Sequence, residues 1–141
     1  MNADALISAY RSPYGSGLPA DASHRVELRN HRCGDVVVLA WTLRDGLITV
    51  IGHECVGCMM HKASTSILCK EVSGRPLSEI PGLLRTVEQL CDADAPMPDG
   101  QSADLRALAD IRAYPTRRDC VRLSWQALAE LAAAVSKTPA G

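Results

Sequence analysis

The chain has no phenylalanine, and only two tryptophans and three tyrosines among its 141 residues. Hydrophobic residues nevertheless make up 47% of it, so a sizeable core must be packed from aliphatic side chains. An excess of charge of one sign is also missing. Fifteen basic residues meet sixteen acidic ones, for a net charge of −1. That balance offers no global field to hold nucleic acid or an anionic membrane. No long apolar run exists either: the longest is Val36 to Trp41, far short of what a bilayer requires. The opening Met1-Asn2-Ala3-Asp4 lacks the basic and then apolar order of a signal peptide. Together these absences lead us to expect a cytoplasmic protein with no nucleic-acid and no membrane partner. In that compartment the six cysteines read as thiols, metal ligands or redox groups rather than as a disulfide framework. The length suits one domain, and no internal repeat divides it, so residues 1–141 are expected to form a single domain.

What is present falls into two halves. Asp4 to Tyr10 reads as a short helix, stopped by Ser12-Pro13 and the loop Gly15-Ser16-Gly17. His24 to Asn30 alternates, with Val26 and Leu28 on one face and Arg25, Glu27 and Arg29 on the other, the pattern of a half-buried strand. Val36 to Trp41 and Leu47 to Ile51 are rich in β-branched residues. Arg44-Asp45-Gly46 lies between them, and Asp-Gly signals a hairpin because both central turn residues need positive φ. The first half therefore predicts a three-stranded antiparallel meander.

After Gly52 the period changes. Met59, Ala63, Ser66 and Ile67 share a helix face, and Ser73-Gly74 ends that run. Leu77 to Leu90 reads as helical, with a break at Pro81. Ala93 to Gly100 reads as an exposed loop, and Leu105, Leu108 and Ile111 mark a short helix. Thr116 to Val135 is the clearest helix. Thr116 with Asp119 resembles a capping box, and Val121, Trp125, Leu128, Ala132 and Val135 form an apolar stripe. Strands first and helices afterwards is an α+β layout, with helices packed on one face of the sheet.

Three cysteines stand at junctions between these elements. Cys33 lies in the turn Cys33-Gly34-Asp35, Cys55 between the third strand and the next helix, and Cys120 in the first turn of the last helix. Gly34 would let backbone approach a bound ion. A thiol at a helix N-terminus feels the positive end of the dipole, which favours the thiolate. Arg117, Arg118 and Arg122 act in the same sense. Three thiolates with Asp35 would make a four-coordinate site of Cys₃Asp type. Its carboxylate would be the hardest donor and the easiest to displace.

These motifs resemble a known family. Cys33-Gly34-Asp35 after a strand, Cys55 near a strand-to-helix junction, and Pro115-Thr116-Arg117-Arg118-Asp119-Cys120 running on to Trp125 are similar to the three motifs of the U-type iron–sulfur cluster assembly scaffold proteins, the NifU N-terminal, IscU and SufU group. The segment from Tyr10-Arg11-Ser12-Pro13 to Gly17 resembles the way that family opens. Arg117, Trp125 and the long stretch from Gly74 to Pro115 lean toward the SufU branch. The resemblance implies Cys33, Asp35, Cys55 and Cys120 around one zinc ion or transient iron–sulfur cluster. It implies as partners a pyridoxal-phosphate cysteine desulfurase of the SufS or IscS type, which delivers persulfide sulfur, and downstream cluster carriers or apo-proteins. Cys55 or Cys120 would accept the sulfur, and the protein would act as a scaffold or sulfur carrier rather than as a free-standing enzyme. The sequence departs from the family's pattern at His31, where proline is usual, and at Glu54, where glycine precedes the second cysteine. Asp119 stands where the IscU branch has histidine.

Two rival readings come from the same residues. Cys55-Val56-Gly57-Cys58 is a Cys-x-x-Cys at the start of a helix, the setting of a dithiol oxidoreductase. A folded zinc protein that only binds a partner is the other. His53 and His61 flank the motif and read as solvated or locally hydrogen-bonded. Cys69 and Cys91 read as thiols without function, Met59 and Met60 as core and helix surface, and Trp125 as packing.

Overall fold

The computed structural model describes residues 3–137. The chain opens with helix α1 (Ala3–Arg11) and then lays down strands β1 (His24–Asn30), β2 (Asp35–Arg44) and β3 (Leu47–Val56). Helices α2 (Met59–Val72), α3 (Ile80–Cys91), α4 (Ala103–Ala107) and α5 (Arg118–Lys137) follow, joined in part by 3₁₀ turns at Leu77–Glu79, Leu108–Ala113 and Pro115–Arg117. The three strands form one antiparallel sheet in the order β1-β2-β3. This is the expected α+β meander with helices behind it.

Each strand reflects its sequence. β1 alternates between exposed and half-buried residues along its whole length. β2 is the middle strand, and Val37, Val38, Leu39, Ala40 and Trp41 are all buried, so its side chains are covered on both faces. The β2–β3 hairpin turns at Asp45 and Gly46, with φ of 53° and 78°, as the Asp-Gly pair predicts. The tip is held from outside as well. Leu77 N–H donates to the Gly46 carbonyl, and Ile48 exchanges backbone bonds with Gly74 and Arg75.

β3 differs from expectation. It runs five residues past Ile51, to Val56. Gly52, His53 and Glu54 carry little strand propensity of their own, but each is paired with β2 in continuous register, Gly52 with Ala40 and Cys55 with Val37. Tertiary pairing here overrides local preference. Pro81 also departs from expectation. It stands at the start of α3, where a missing N–H costs nothing, so it begins a helix and does not break one. At the other end, Pro115–Arg117 forms a 3₁₀ turn ahead of α5. Thr116 therefore lies inside a turn rather than capping the helix.

α5 packs against β1, β2, α2 and α3. Val121, Trp125, Leu128 and Leu131 are buried in the core it forms with Trp41, Ile67, Leu68 and Leu90. Each large aliphatic side chain so buried contributes about 1.5–3 kcal/mol, which makes α5 the main cover of the sheet. No described helix is long and apolar enough to cross a membrane.

Candidate metal centre

One end of the sheet gathers three distant parts of the chain. The turn from β1 into β2 closes through Gly34 N–H on the Asn30 carbonyl at 2.9 Å, and the Asn30 side chain accepts from Arg32 N–H at 3.1 Å. Gly34 sits at φ 74° with open space where a Cβ would stand. It serves the turn, not a close approach. This turn presents Cys33 to solvent, while Asp35, the first residue of β2, is buried. The first turn of α5 brings in Cys120, also buried. The Cys33 thiol lies 3.2 Å from Asp35 Oδ2 and 3.7 Å from the Cys120 sulfur. Potential donor atoms of Cys33, Asp35 and Cys120 all fall within 4.8 Å of one another.

Cys55 is not brought into this group. Because β3 continues to Val56, Cys55 is a strand residue opposite Val37, with Lys62, the Thr65 hydroxyl and Asp35 as neighbours, but its sulfur is not among the donor atoms that cluster with Cys33 and Cys120. Cys58 comes to the group instead. It caps α2 with an extended backbone, and its N–H donates to Asp35 Oδ1 at 3.2 Å. Its thiol is a neighbour of Cys120. Gly57 makes this approach possible: its φ is 150°, and a Cβ there would collide with the Asp35 carboxylate. Gly57 also stands immediately before Cys58, as the resemblance expects of the second cysteine, so the apparent departure at Glu54 falls away.

The surroundings test whether these residues suit a metal. Asp35 is 1% exposed and makes no ion pair among the described residues. A buried carboxylate is costly without a cation or full hydrogen bonding. Here it has one backbone N–H and weak thiol donors. Two sulfurs bound to one tetrahedral zinc at about 2.3 Å each lie about 3.8 Å apart, close to the observed Cys33–Cys120 separation. Soft thiols with one carboxylate suit zinc or iron. The residues fit such an ion.

Electrostatics differ from the expectation for Cys120. Burial pushes its thiol pKa up, and hydrogen bonding with Asp35 and Cys33 and the nearby Cys58 act in the same direction. The arginines do not reverse this. Arg122 is committed to Glu88 at 3.0 Å and Asp119 at 3.7 Å, and Arg117 lines a separate groove. In the metal-free chain the surroundings of Cys120 thus favour the thiol over the thiolate. Burial likewise raises Cys55, Cys69 and Cys91, the last to about 11. Cys69 and Cys91 are buried in the core.

Two polar residues of α2 take parts that the sequence did not reveal: His61, expected to be solvated or locally hydrogen-bonded, and Ser64, for which the sequence carried no expectation. His61 is fully buried, with its ring nitrogens 3.0 Å from the Val36 carbonyl and 3.3 Å from the Cys120 carbonyl. Ser64, also buried, donates to the Val121 carbonyl at 2.7 Å and accepts from Trp125 Nε1 at 2.9 Å. Trp125 thus anchors a polar chain as well as packing. The only advance signal was the spacing, since His61 and Ser64 fall one helical turn apart on the buried face. His53 is buried too and bonds the Tyr14 carbonyl through Nε2 at 3.0 Å. Met59 and Met60 line an apolar groove of about 390 Å³ with Leu6, Ile7, Ile111 and Tyr114.

Comparison with known proteins agrees with this architecture. The iron–sulfur cluster assembly scaffold protein IscU of Thermotoga maritima is 27% identical over 97% of this chain and 96% of its own length. The zinc-dependent sulfurtransferase SufU of Bacillus subtilis is 24% identical over 87% of this chain and 83% of its own. Among solved structures, a NifU-like N-terminal protein from Brucella abortus superposes with a TM-score of 0.85 at 22% identity, covering 95% of this chain and 93% of the other. The SUF-system scaffold protein of Fervidobacterium islandicum does so with 0.84 at 21% identity, covering 92% and 94%. The model of the NifU-like N-terminal domain matches residues 1–121, and this chain belongs to that family.

Proposed function

We propose that this chain is a scaffold or sulfur carrier for iron–sulfur cluster assembly, holding zinc, or a transient cluster as cargo, at Cys33, Asp35, Cys58 and Cys120. One observation carries the reading: a buried carboxylate with no ion-pair partner among the described residues, flanked by two thiols spaced as one tetrahedral ion would space them. Membership of the NifU-like family and the names of its IscU and SufU relatives support it. The partner in this reading is a cysteine desulfurase, with cluster carriers or apo-proteins downstream, and the compartment is the cytoplasm.

A bound zinc ion would supply deprotonated thiolates at neutral pH. The chain's own residues decide access. Cys33 is exposed, Cys58 half-buried and Cys120 buried, so an incoming persulfide meets Cys33 or Cys58 first. That thiolate attacks the terminal sulfur of the partner's Cys–S–SH group. A new S–S bond forms on the carrier, the old one breaks, and the partner leaves as a thiolate, with no net oxidation. Cys120 then lies 3.7 Å from Cys33, within reach of a second transfer. A dithiol couple of Cys55 and Cys58 finds less support, because Cys58 bonds Asp35 through its N–H and neighbours Cys120, while Cys55 is a strand residue outside the group of Cys33, Asp35 and Cys120.

Elemental analysis of the aerobically purified protein tests the reading. It should hold about one zinc per chain. Serine at Cys33, Cys58 or Cys120 should remove most of that zinc and most of the stimulation of sulfide release by a cysteine desulfurase. Cys55→Ser should keep both. Loss in Cys55→Ser with full retention in Cys58→Ser would return Cys55 to the site and overturn the ligand set proposed here.

A further inference from the structure

We infer that His61 is a positioning residue of this centre: a buried brace that fixes the distance between the start of β2 and the first turn of α5. The inference rests on the metal reading above and concerns what holds its donors at their spacing. Asp35 and Cys120 lie 85 residues apart in the chain, and neither β2 nor α5 sets the other's position by local rules. His61 touches both. Its Nε2 lies 3.0 Å from the carbonyl of Val36, the residue directly after Asp35, and its Nδ1 lies 3.3 Å from the carbonyl of Cys120 itself. Its exposure is 0%, so water does not compete for either contact.

The same turn of α2 reaches the centre by a second route. Cys58, three residues before His61, gives its N–H to Asp35 Oδ1. The start of α2 therefore contacts the carboxylate, the strand beneath it and the helix that carries Cys120. A rigid ring suits the role. Imidazole is flat, with a nitrogen on each of two edges and few rotatable bonds; in either neutral tautomer it donates to one of the two carbonyls and packs its other edge against the second, at a fixed width. Alanine would reach neither, and leucine would leave the carbonyl that His61 serves without that donor, a cost of the kind that buried polar groups impose.

Ser64 provides an internal comparison. One turn further along α2, it bonds the Val121 carbonyl and receives Trp125 Nε1. It thus joins α2 to α5 as His61 does, and both are fully buried. No bond of Ser64 reaches β2. If His61 acts only as core structure, removing either residue should have similar consequences. If it braces the donor set, only its removal should loosen the metal centre. Residues that orient metal ligands from outside the coordination shell typically matter by about 10- to 100-fold in affinity.

The experiment compares His61→Leu, His61→Gln and Ser64→Ala with the parent. Cobalt(II) titration reads affinity and the thiolate-to-cobalt absorption band. Amide hydrogen exchange of the metal-free proteins reads the two braced segments, residues 35–37 and 120–124. His61→Leu should bind cobalt about 10- to 100-fold more weakly, with an altered band and faster exchange in both segments. His61→Gln, which keeps a donor, should fall between it and the parent, and it serves as the test if the leucine variant does not fold. Ser64→Ala should lower the unfolding temperature and quicken exchange in α5, with the parent's cobalt band retained. A His61 variant with the parent's affinity and band, or one no weaker than Ser64→Ala, overturns the brace. A parent that takes up no cobalt overturns the metal reading instead. The exchange rates then decide the brace alone, since unchanged rates in residues 35–37 would overturn it.

Discussion

The two ends of the β2–β3 hairpin are held together by different rules. At the turn end, Asp45 and Gly46 close the chain locally through two adjacent residues with positive φ, and one further segment, residues 74–77, holds the tip from outside. At the other end, the β1–β2 turn, the first turn of α2 and the first turn of α5 converge, and Cys33 meets Cys120 from 87 residues away in sequence. The turn end is apolar beneath, with Ile48 fully buried. The opposite end buries a carboxylate, a histidine and a cysteine. A local device tolerates change around it, whereas a convergent one depends on every segment that reaches it.

If this contrast is right, damage at one end should leave the other's property intact. The largest stability effect is expected at the turn end. Ile48→Ala should cost about 2–5 kcal/mol by urea unfolding, yet zinc content should stay at the parent's level. Loss of zinc from the folded variant would show that the two ends are not separable.

The interior between the ends comes next. Burial raises Cys91 from 9.0 to about 11. A thiol whose pKa is higher in the folded state stabilises the fold below its unfolded pKa and loses that contribution as pH rises toward the folded one. In metal-free protein the contribution of Cys91, on the order of 2–3 kcal/mol, should therefore be fully present below about pH 9 and be lost between about pH 9 and 11. Cys91→Ala should flatten that decline when unfolding is followed across the range. An unchanged slope would mean that the other raised thiols, Cys69 and Cys120, carry it.

At the site end, Gly57→Ala forces a Cβ toward Asp35 and strains a φ of 150°. Zinc affinity should fall by about tenfold or more, as read by competition with a chelator, while the hairpin turn keeps its exchange protection. The smallest effect is expected from Gly46→Ala. It should cost about 1 kcal/mol for the positive φ and leave both metal content and sulfide release unchanged.

Much of this could be read from residues alone. β1 matched its alternation from His24 to Asn30, and the hairpin followed from Asp45-Gly46. α5 followed from the stripe of Val121, Trp125 and Leu128. Cys33, Asp35 and Cys120 were legible as a group through motif resemblance, and the structure brings them together. The choice between Cys55 and Cys58 was not. It depends on where β3 ends, and Gly52-His53-Glu54 gives no local reason to remain a strand. Pairing with Ala40, Leu39 and Val38, and the bonds of the His53 backbone to Gly15 and Gly17 on its other side, keep it one. His61 was equally hidden, since a histidine in the first turn of a helix gives no sign of which carbonyls it will meet.

The sequence by itself determined the order of elements, the hairpin, the aliphatic core and the supply of thiols and one acid, because these depend on neighbours a few residues apart and on composition. The tertiary structure decided which thiols meet, what state they are held in and what braces them. Burial overruled the helix dipole at Cys120, and strand pairing carried Cys55 away and Cys58 in. Both outcomes come from contacts between segments far apart in the chain, and those contacts exist only after the core has closed.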